Sequence, residues 1–239
     1  MPVCRLCEQE QASVRAHVIP RSFFIAHIDE DEIPKLVATS KDFYPKKSPI
    51  GVYDPEILCS ACEVRFSPYD AYGFKFFHPA GDLETIFRDT EGEANIVRGI
   101  DYKLLKLFIL SVLWRASVSG QTFYAGVMLG PYENDIRSLI LADNPGEPQD
   151  FPVMVHRFSY PSELIPILCP VSSRIYGLNF YQLLLNGFLV LVKVDRQSLP
   201  QPLPEIALAP DRPLVILRKD YKGSTEHRIM VRAAQNVRT

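Results

Sequence analysis

The chain has 239 residues, 47% of them hydrophobic and 23% charged, with a formal net charge of −2. That composition excludes intrinsic disorder and leaves enough apolar side chains for a sizeable core. It also excludes a basic field over the whole molecule, so any nucleic acid has to be met by a local patch.

The chain begins with Cys4-Arg-Leu-Cys7, two thiols at the spacing of a metal-binding knuckle. Gln11 to Val18 reads as a short strand. Pro20 then fits the first turn of a helix, where its missing N–H costs nothing, running through Phe23, Phe24 and His27. Asp29-Glu-Asp-Glu32 ends that helix. From Ile33 to Pro55 the segment is punctuated by prolines and reads as a long loop with one strand near Lys35–Thr39.

A second pair, Cys59-Ser-Ala-Cys62, opens a helix that extends towards Phe77. Cys62, Phe66, Tyr69 and Gly73 fall on one stripe of it, and Glu63, Ser67 and Asp70 on the next. Pro68 predicts a kink or a restart. His78-Pro-Ala-Gly81 marks the boundary between an N-terminal module, about 1–80, and a second domain, 81–239. Through Lys75 the first module carries nine basic against eleven acidic residues, so it is not basic either.

In the second domain, Asp101 is positioned to cap a helix through Val118 that is apolar nearly all round, the pattern of a buried core helix. Its longest apolar run, Leu104 to Trp114, falls short of the roughly 20 residues a membrane span needs. Trp114-Arg115 reads as a core aromatic followed by a helix-end cation. Pro131 to Ala142 predicts an amphipathic partner helix. Val153–Phe158, Ser173–Leu178, Gly187–Val194 and Leu214–Leu217 then read as strands, followed by a basic tail containing Lys222, Arg228, Arg232 and Arg238. Helices followed by strands give an α+β fold with a buried helix pair (about 101–142) and a mostly antiparallel sheet (about 151–218).

Two C-x-x-C pairs in one short stretch complete a Cys4 set suited to Zn²⁺. Four thiolates leave no open position on the metal, so that zinc is structural. Thiols at metal spacing suit a reducing compartment, and the expected location is cytoplasmic. The fifth cysteine, Cys169, reads as a core or loop thiol.

A strand carrying His17-Val-Ile-Pro20, a loop, and then Asp54-Pro-Glu-Ile-Leu-Cys59-x-x-Cys62-Glu63 resembles the HNH nuclease module, the ββα-metal or His-Me finger fold. The resemblance covers about the first 75 residues. It implies a zinc-bound ββα module with His17 as the general base that activates water. Asp54 stands where the family has the asparagine that orients this histidine, and Glu63 stands just past the fourth cysteine, where the family holds its catalytic metal. The family usually has Asp or His immediately before the base; here that residue is Ala16. Glu63, with Asp54 or Asp70, is then expected to hold Mg²⁺ or Mn²⁺. Arg15, Arg21 and Arg65 are the candidates for phosphate contacts, with DNA as the expected partner.

Each of these residues has a plainer reading. Asp54 equally caps a turn before Pro55. Glu63 is favoured in a first helical turn by the helix dipole alone. His17 is equally a half-buried histidine bonded to backbone. Two functional classes follow: an endonuclease, or a zinc-stabilised module that binds nucleic acid or protein without turnover. The string Cys4-x-Leu-Cys7, His17-Val-Ile-Pro20, Leu58-Cys59-x-x-Cys62-Glu63 and Leu110-Ser-Val-Leu-Trp-Arg115 is also similar to uncharacterised bacterial proteins. That wider likeness reaches about Pro145 and implies a shared architecture but no function.

Overall fold

A computed structural model describes residues 2–25, 35–36, 46–77, 94–159, 168–225 and 227–228. The expected module boundary near Gly81, the helical turn at His27, and Arg232 and Arg238 of the tail lie outside them.

The N-terminal stretch is built on a two-stranded antiparallel ribbon, β1 (Ser13–His17) and β4 (Tyr53–Cys59), which runs directly into helix α2 (Ser60–Phe77). Between the two strands lie the single-turn helix α1 (Ser22–Ile25) and a minimal pair, β2 (Lys35–Leu36) and β3 (Lys46–Lys47). Tyr53 falls in the stretch 33–55 that its four prolines predict as a long loop, yet it is strand. The strand survives by an irregularity at Pro55. Val14 pairs with Leu58, but Ala16 already pairs with Asp54, so β4 carries extra residues around Pro55. An Asp54 carboxylate oxygen accepts the Glu56 N–H at 2.9 Å and closes the kink as an Asx turn, the capping role foreseen for it.

Past this stretch come β5 (Ala94–Val97), α3 (Tyr102–Val118), a 3-10 turn at Thr122–Tyr124, and α4 (Tyr132–Leu141). The Asp101 carboxylate caps α3 by accepting the Leu104 N–H at 2.9 Å. The rest is β-rich: β6 (Val153–Ser159), β7 (Leu168–Ile175), β8 (Leu178–Leu185), β9 (Phe188–Lys193), the short α5 (Leu203–Ile206) and β10 (Leu214–Asp220). These strands form one six-stranded sheet in the order β5-β10-β6-β9-β8-β7, antiparallel except for the β10–β6 pair. The fold is α+β with a mostly antiparallel sheet.

The expected strand at Ser173–Leu178 does not exist as drawn, because the chain reverses inside it. Tyr176 and Gly177 have φ of 52° and 78°, the paired positive values of a type I′ hairpin turn, and β7 and β8 flank them. Asn186 and Gly187, at 46° and 86°, make the same turn between β8 and β9. Asn-Gly between apolar runs is a strong hairpin signal, and it would have located β8.

One hydrophobic core joins the residues before Phe77 to those after Ala94. Phe23 stacks on Phe108 of α3 with ring centroids 5.8 Å apart, and Phe77 meets Phe188 of β9 edge-on at 5.4 Å. The two stretches therefore share a core rather than each closing its own. The other sheet face buries Met154, Phe180, Leu189 and Tyr221 in a second cluster. Because both faces are covered, β9 is buried at every position and reads as a continuous apolar run instead of alternating. None of the helices among the described residues is long and apolar enough to cross a membrane.

Candidate metal centre and the His17 site

Cys4 and Cys7 lie on a turn whose shape is fixed by backbone bonds: the Cys4 N–H donates to the Gln9 carbonyl at 3.0 Å, and the Glu8 N–H to the Cys4 carbonyl at 2.8 Å. Glu8 takes a φ of 59° to complete it. Cys59 ends β4 and Cys62 sits in the first turn of α2, so the second pair occupies a strand-to-helix junction. The Arg5 N–H donates to the Ile57 carbonyl at 2.9 Å and lays the first turn against β4. From the far side, Arg137 of α4 donates to the Leu6 carbonyl at 2.7 Å and pairs with Glu8 at 2.9 Å.

The result is one sulfur cluster. The four Sγ atoms all lie within 4.8 Å of one another, three of the residues buried and Cys7 half-buried. A tetrahedral ion with bonds of about 2.3 Å holds sulfurs about 3.8 Å apart, and the Cys7 to Cys59 separation is 4.0 Å. The donor set and its size therefore fit a metal ion. Backbone N–H groups aid it: burial raises the Cys4 thiol, but hydrogen bonds from the Cys7, Cys59 and Leu6 backbone outweigh burial and bring it down to about 7. Burial pushes Cys7 and Cys62 upward, and for Cys62 the neighbouring thiols add to the rise. A cation among them reverses that crowding, so binding releases protons.

His17 ends β1, half-buried, with Tyr53 across the ribbon and the two rings 5.9 Å apart. Its ring hydrogen-bonds to the Ile50 backbone, while Nε2 is buried with no hydrogen-bond partner. Burial lowers its pKa, and the charges of Arg115 and Arg21 lower it further against the opposing Ile50 bond. Glu63 likewise has a buried oxygen, Oε2, without a partner; burial raises its carboxyl, Asp70 adds to the rise, and Arg115 opposes it. Three uncharged buried donors, Trp114 Nε1, Tyr124 OH and Ser173 Oγ, also go unpaired.

Two of the expected partners are committed elsewhere. Asp54 pairs with Ala16, on the opposite face of the ribbon from the His17–Tyr53 pair. Its carboxylate accepts from Ser119 Oγ at 2.9 Å and from the Gly120 N–H at 2.8 Å, besides Glu56. Asp70, two turns after Glu63, is held bidentately by Arg115, with bonds of 3.0 and 2.6 Å. Arg115 is the site residue that sequence reasoning placed as a mere helix-end cation. It is fully buried, and its Nη1 also donates to the His17 carbonyl at 2.8 Å.

The three arginines chosen for phosphate differ. Arg15 is exposed, with its guanidinium over the Tyr53 ring at 5.4 Å, and Arg21 is exposed with its charge felt at His17. Arg65 donates to the Leu141 carbonyl at 2.6 Å and ties α2 to the end of α4. Comparison with family models, curated proteins and solved structures returns no match.

Proposed function

We propose that this chain is an HNH-like, metal-dependent endonuclease acting on DNA, with a structural Zn²⁺ on Cys4, Cys7, Cys59 and Cys62 and with His17 as general base. The observation that carries the reading is the pair of unpartnered lone-pair atoms, His17 Nε2 and Glu63 Oε2. A buried polar atom left unsatisfied costs about 1–3 kcal/mol. Trp114, Tyr124 and Ser173 leave donors unpaired, whereas these two atoms are lone-pair acceptors on an imidazole and a carboxyl, the kind that take up a proton or hold a cation.

His17 has the state a base needs. One ring nitrogen is committed to the Ile50 backbone, and the lowered pKa keeps the imidazole neutral at working pH, so the other nitrogen accepts a proton from water. Glu63, with a carboxylate oxygen to spare, suits a hard divalent cation such as Mg²⁺ or Mn²⁺. When bound, that ion supplies stabilisation of charge on the phosphate and leaving oxygen. Arg15 and Arg21, exposed around His17, are suited to hold the phosphate backbone.

The test is plasmid nicking with Mg²⁺ or Mn²⁺ by the wild type and by His17→Ala, with zinc content measured alongside. The reading expects metal-dependent cleavage that the variant loses while its zinc stays bound. Undiminished cleavage by the variant removes His17 from the role. A second reading, a zinc-stabilised module that binds nucleic acid or protein without turnover, is favoured by the commitment of Asp54 and Asp70 elsewhere, which leaves Glu63 the one carboxylate of the three to spare. DNA retention in a gel shift with no nicking under Mn²⁺ selects it.

A further inference from the structure

Resting on the reading of His17 as a base, we propose that Arg115, supplied by α3 from beyond the zinc-bearing stretch, is the positioning residue of that site. It clamps the peptide of His17 to α2 and fixes the charge around the imidazole.

The geometry is that of a fully used guanidinium. Arginine has five N–H groups in a rigid fork. Here Nε donates to the Ser111 carbonyl at 3.3 Å, Nη1 to the His17 carbonyl at 2.8 Å and to Asp70 Oδ2 at 3.0 Å, and Nη2 to Asp70 Oδ1 at 2.6 Å and to Ser111 Oγ at 3.3 Å. The guanidinium lies 4.8 Å over the Phe66 ring, which itself stacks on Trp114. A side chain with 0% exposure and every donor engaged has one available position. It therefore transmits the placement of α3 to the His17 peptide on one side and to Asp70 of α2 on the other.

A clamp built only for stability has no need of a charge beside the catalytic groups. Arg115 supplies one: it is the largest charged influence on His17, whose carbonyl it holds. The groups around this region are Arg115 from α3, Arg15 from β1, Arg21 from the turn after β1, Tyr53 from β4, and Glu63 and Asp70 from α2. Of these, Arg115 and Arg21 favour a neutral His17. Arg115 differs from Arg21 in being inaccessible to solvent and counter-ions, so its influence is not screened by salt.

The experiment follows the His17 ring by NMR through a pH titration of the zinc-loaded, full-length protein, with plasmid nicking measured in parallel. Removing Arg115 alone leaves Asp70 without its partner, so the pair is replaced together as Asp70→Asn/Arg115→Met. This variant is expected to move the His17 midpoint upward, towards the ordinary imidazole range, and to move the acid limb of the nicking profile with it. Asp70→Asn alone keeps the guanidinium but frees its charge, and is expected to move the midpoint further down. Arg115→Lys keeps the charge and loses the fork: it is expected to leave the midpoint low while reducing kcat.

If the zinc-loaded double variant titrates at the wild-type midpoint, or Asp70→Asn leaves His17 unmoved where the double variant does not fold, Arg115 is a structural strut and the proposal is overturned. The failure of the nuclease reading looks different. A wild type that never nicks DNA ends that reading, while the ring titration still reports whether Arg115 sets the state of His17.

Discussion

Ser119, just past the end of α3, donates its hydroxyl to the carboxylate of Asp54 at 2.9 Å, and the Gly120 N–H adds a second bond to the same oxygen. The strand that delivers Cys59 is thereby bolted to the core helix at its kink. Asp54 is 2% exposed, whereas Ser119 is half-buried and Gly120 and Glu56 are exposed, so its loss removes three bonds whose donors water can still reach in part. Asp54→Ala is expected to cost about 2–4 kcal/mol on the basis of three lost hydrogen bonds to a charged acceptor, read as a lower urea midpoint. Its His17 ring titration is expected to match the wild type. A His17 shift in that variant would restore to Asp54 the orienting role that its hydrogen bonds deny it.

The four cysteines make a sharper prediction about metal. Purified under reducing conditions, the protein is expected to contain one Zn²⁺ per chain by elemental analysis, and Cys7→Ser to lose it. Binding free energies of structural zinc are on the order of 10 kcal/mol, comparable to the whole stability of an ordinary domain. Chelation is therefore expected to collapse hydrogen-exchange protection in β1 and β4 first. Because the ligands must shed protons, zinc affinity falls as the pH falls, and proton release on loading at pH 7 is measurable in weak buffer. A chain that retains full protection in β1 and β4 after complete zinc removal would show that the sulfurs are passengers of the fold.

His17 contributes its own pH dependence, whose sign follows from the direction of its shift. Burial and the two arginines lower its pKa in the folded chain below the unfolded value of about 6.5. Above that value the ring is neutral in both states and nothing is lost. As the pH drops through about 6.5 towards the lowered folded value, the unfolded chain takes up the proton first, and stability declines. His17→Gln removes this component. The difference in urea midpoint between wild type and variant is expected to shrink between pH 7.5 and 5.5 in the zinc-loaded state, the cysteine titrations cancelling in the difference. A constant difference would mean that the ring is already solvated.

What was legible beforehand divides along physical lines. The cysteine spacing, the Asp101 cap and the apolar stripe of α2 are local patterns, and the chain follows them. Pro68 was expected to interrupt α2, but the helix runs on through it. Val64, one turn back, whose carbonyl loses its partner, is 65% exposed, so the cost of the missing bond is borne at the surface, where solvent is at hand. Arg115 was not legible, because its importance is set by His17, 98 residues away, and by Asp70, 45 away. Those separations are closed only by the packing of α3 on α2 and the ribbon. Asp54 failed as a partner of His17 for a related reason: it pairs with Ala16 and His17 pairs with Tyr53, and successive pairs of a ribbon point to opposite faces.

The α2–α3 contact that brings Arg115 to Asp70 turns on a single glycine. At Gly73 an added Cβ would lie 2.3 Å from Cγ of Phe108, well inside van der Waals contact with an aromatic ring that is itself stacked on Phe23. The backbone of Gly73 is helical, so the constraint is space and not conformation. Gly73→Ala therefore gains the helix propensity of alanine, about 1 kcal/mol, and sets it against overpacking of typically 1–3 kcal/mol. The ring cannot swing aside without disturbing Phe77, which packs against it at 5.9 Å, so overpacking is expected to win. The variant should unfold at lower urea, and widening the helix crossing should also weaken the grip on His17 and shift its ring titration upward. Phe108→Leu, destabilising on its own through lost burial, should make Gly73→Ala less costly in the double variant than in the single one. If the two substitutions prove additive, the crossing is not held by this contact, and the route from α3 to His17 must run through other residues.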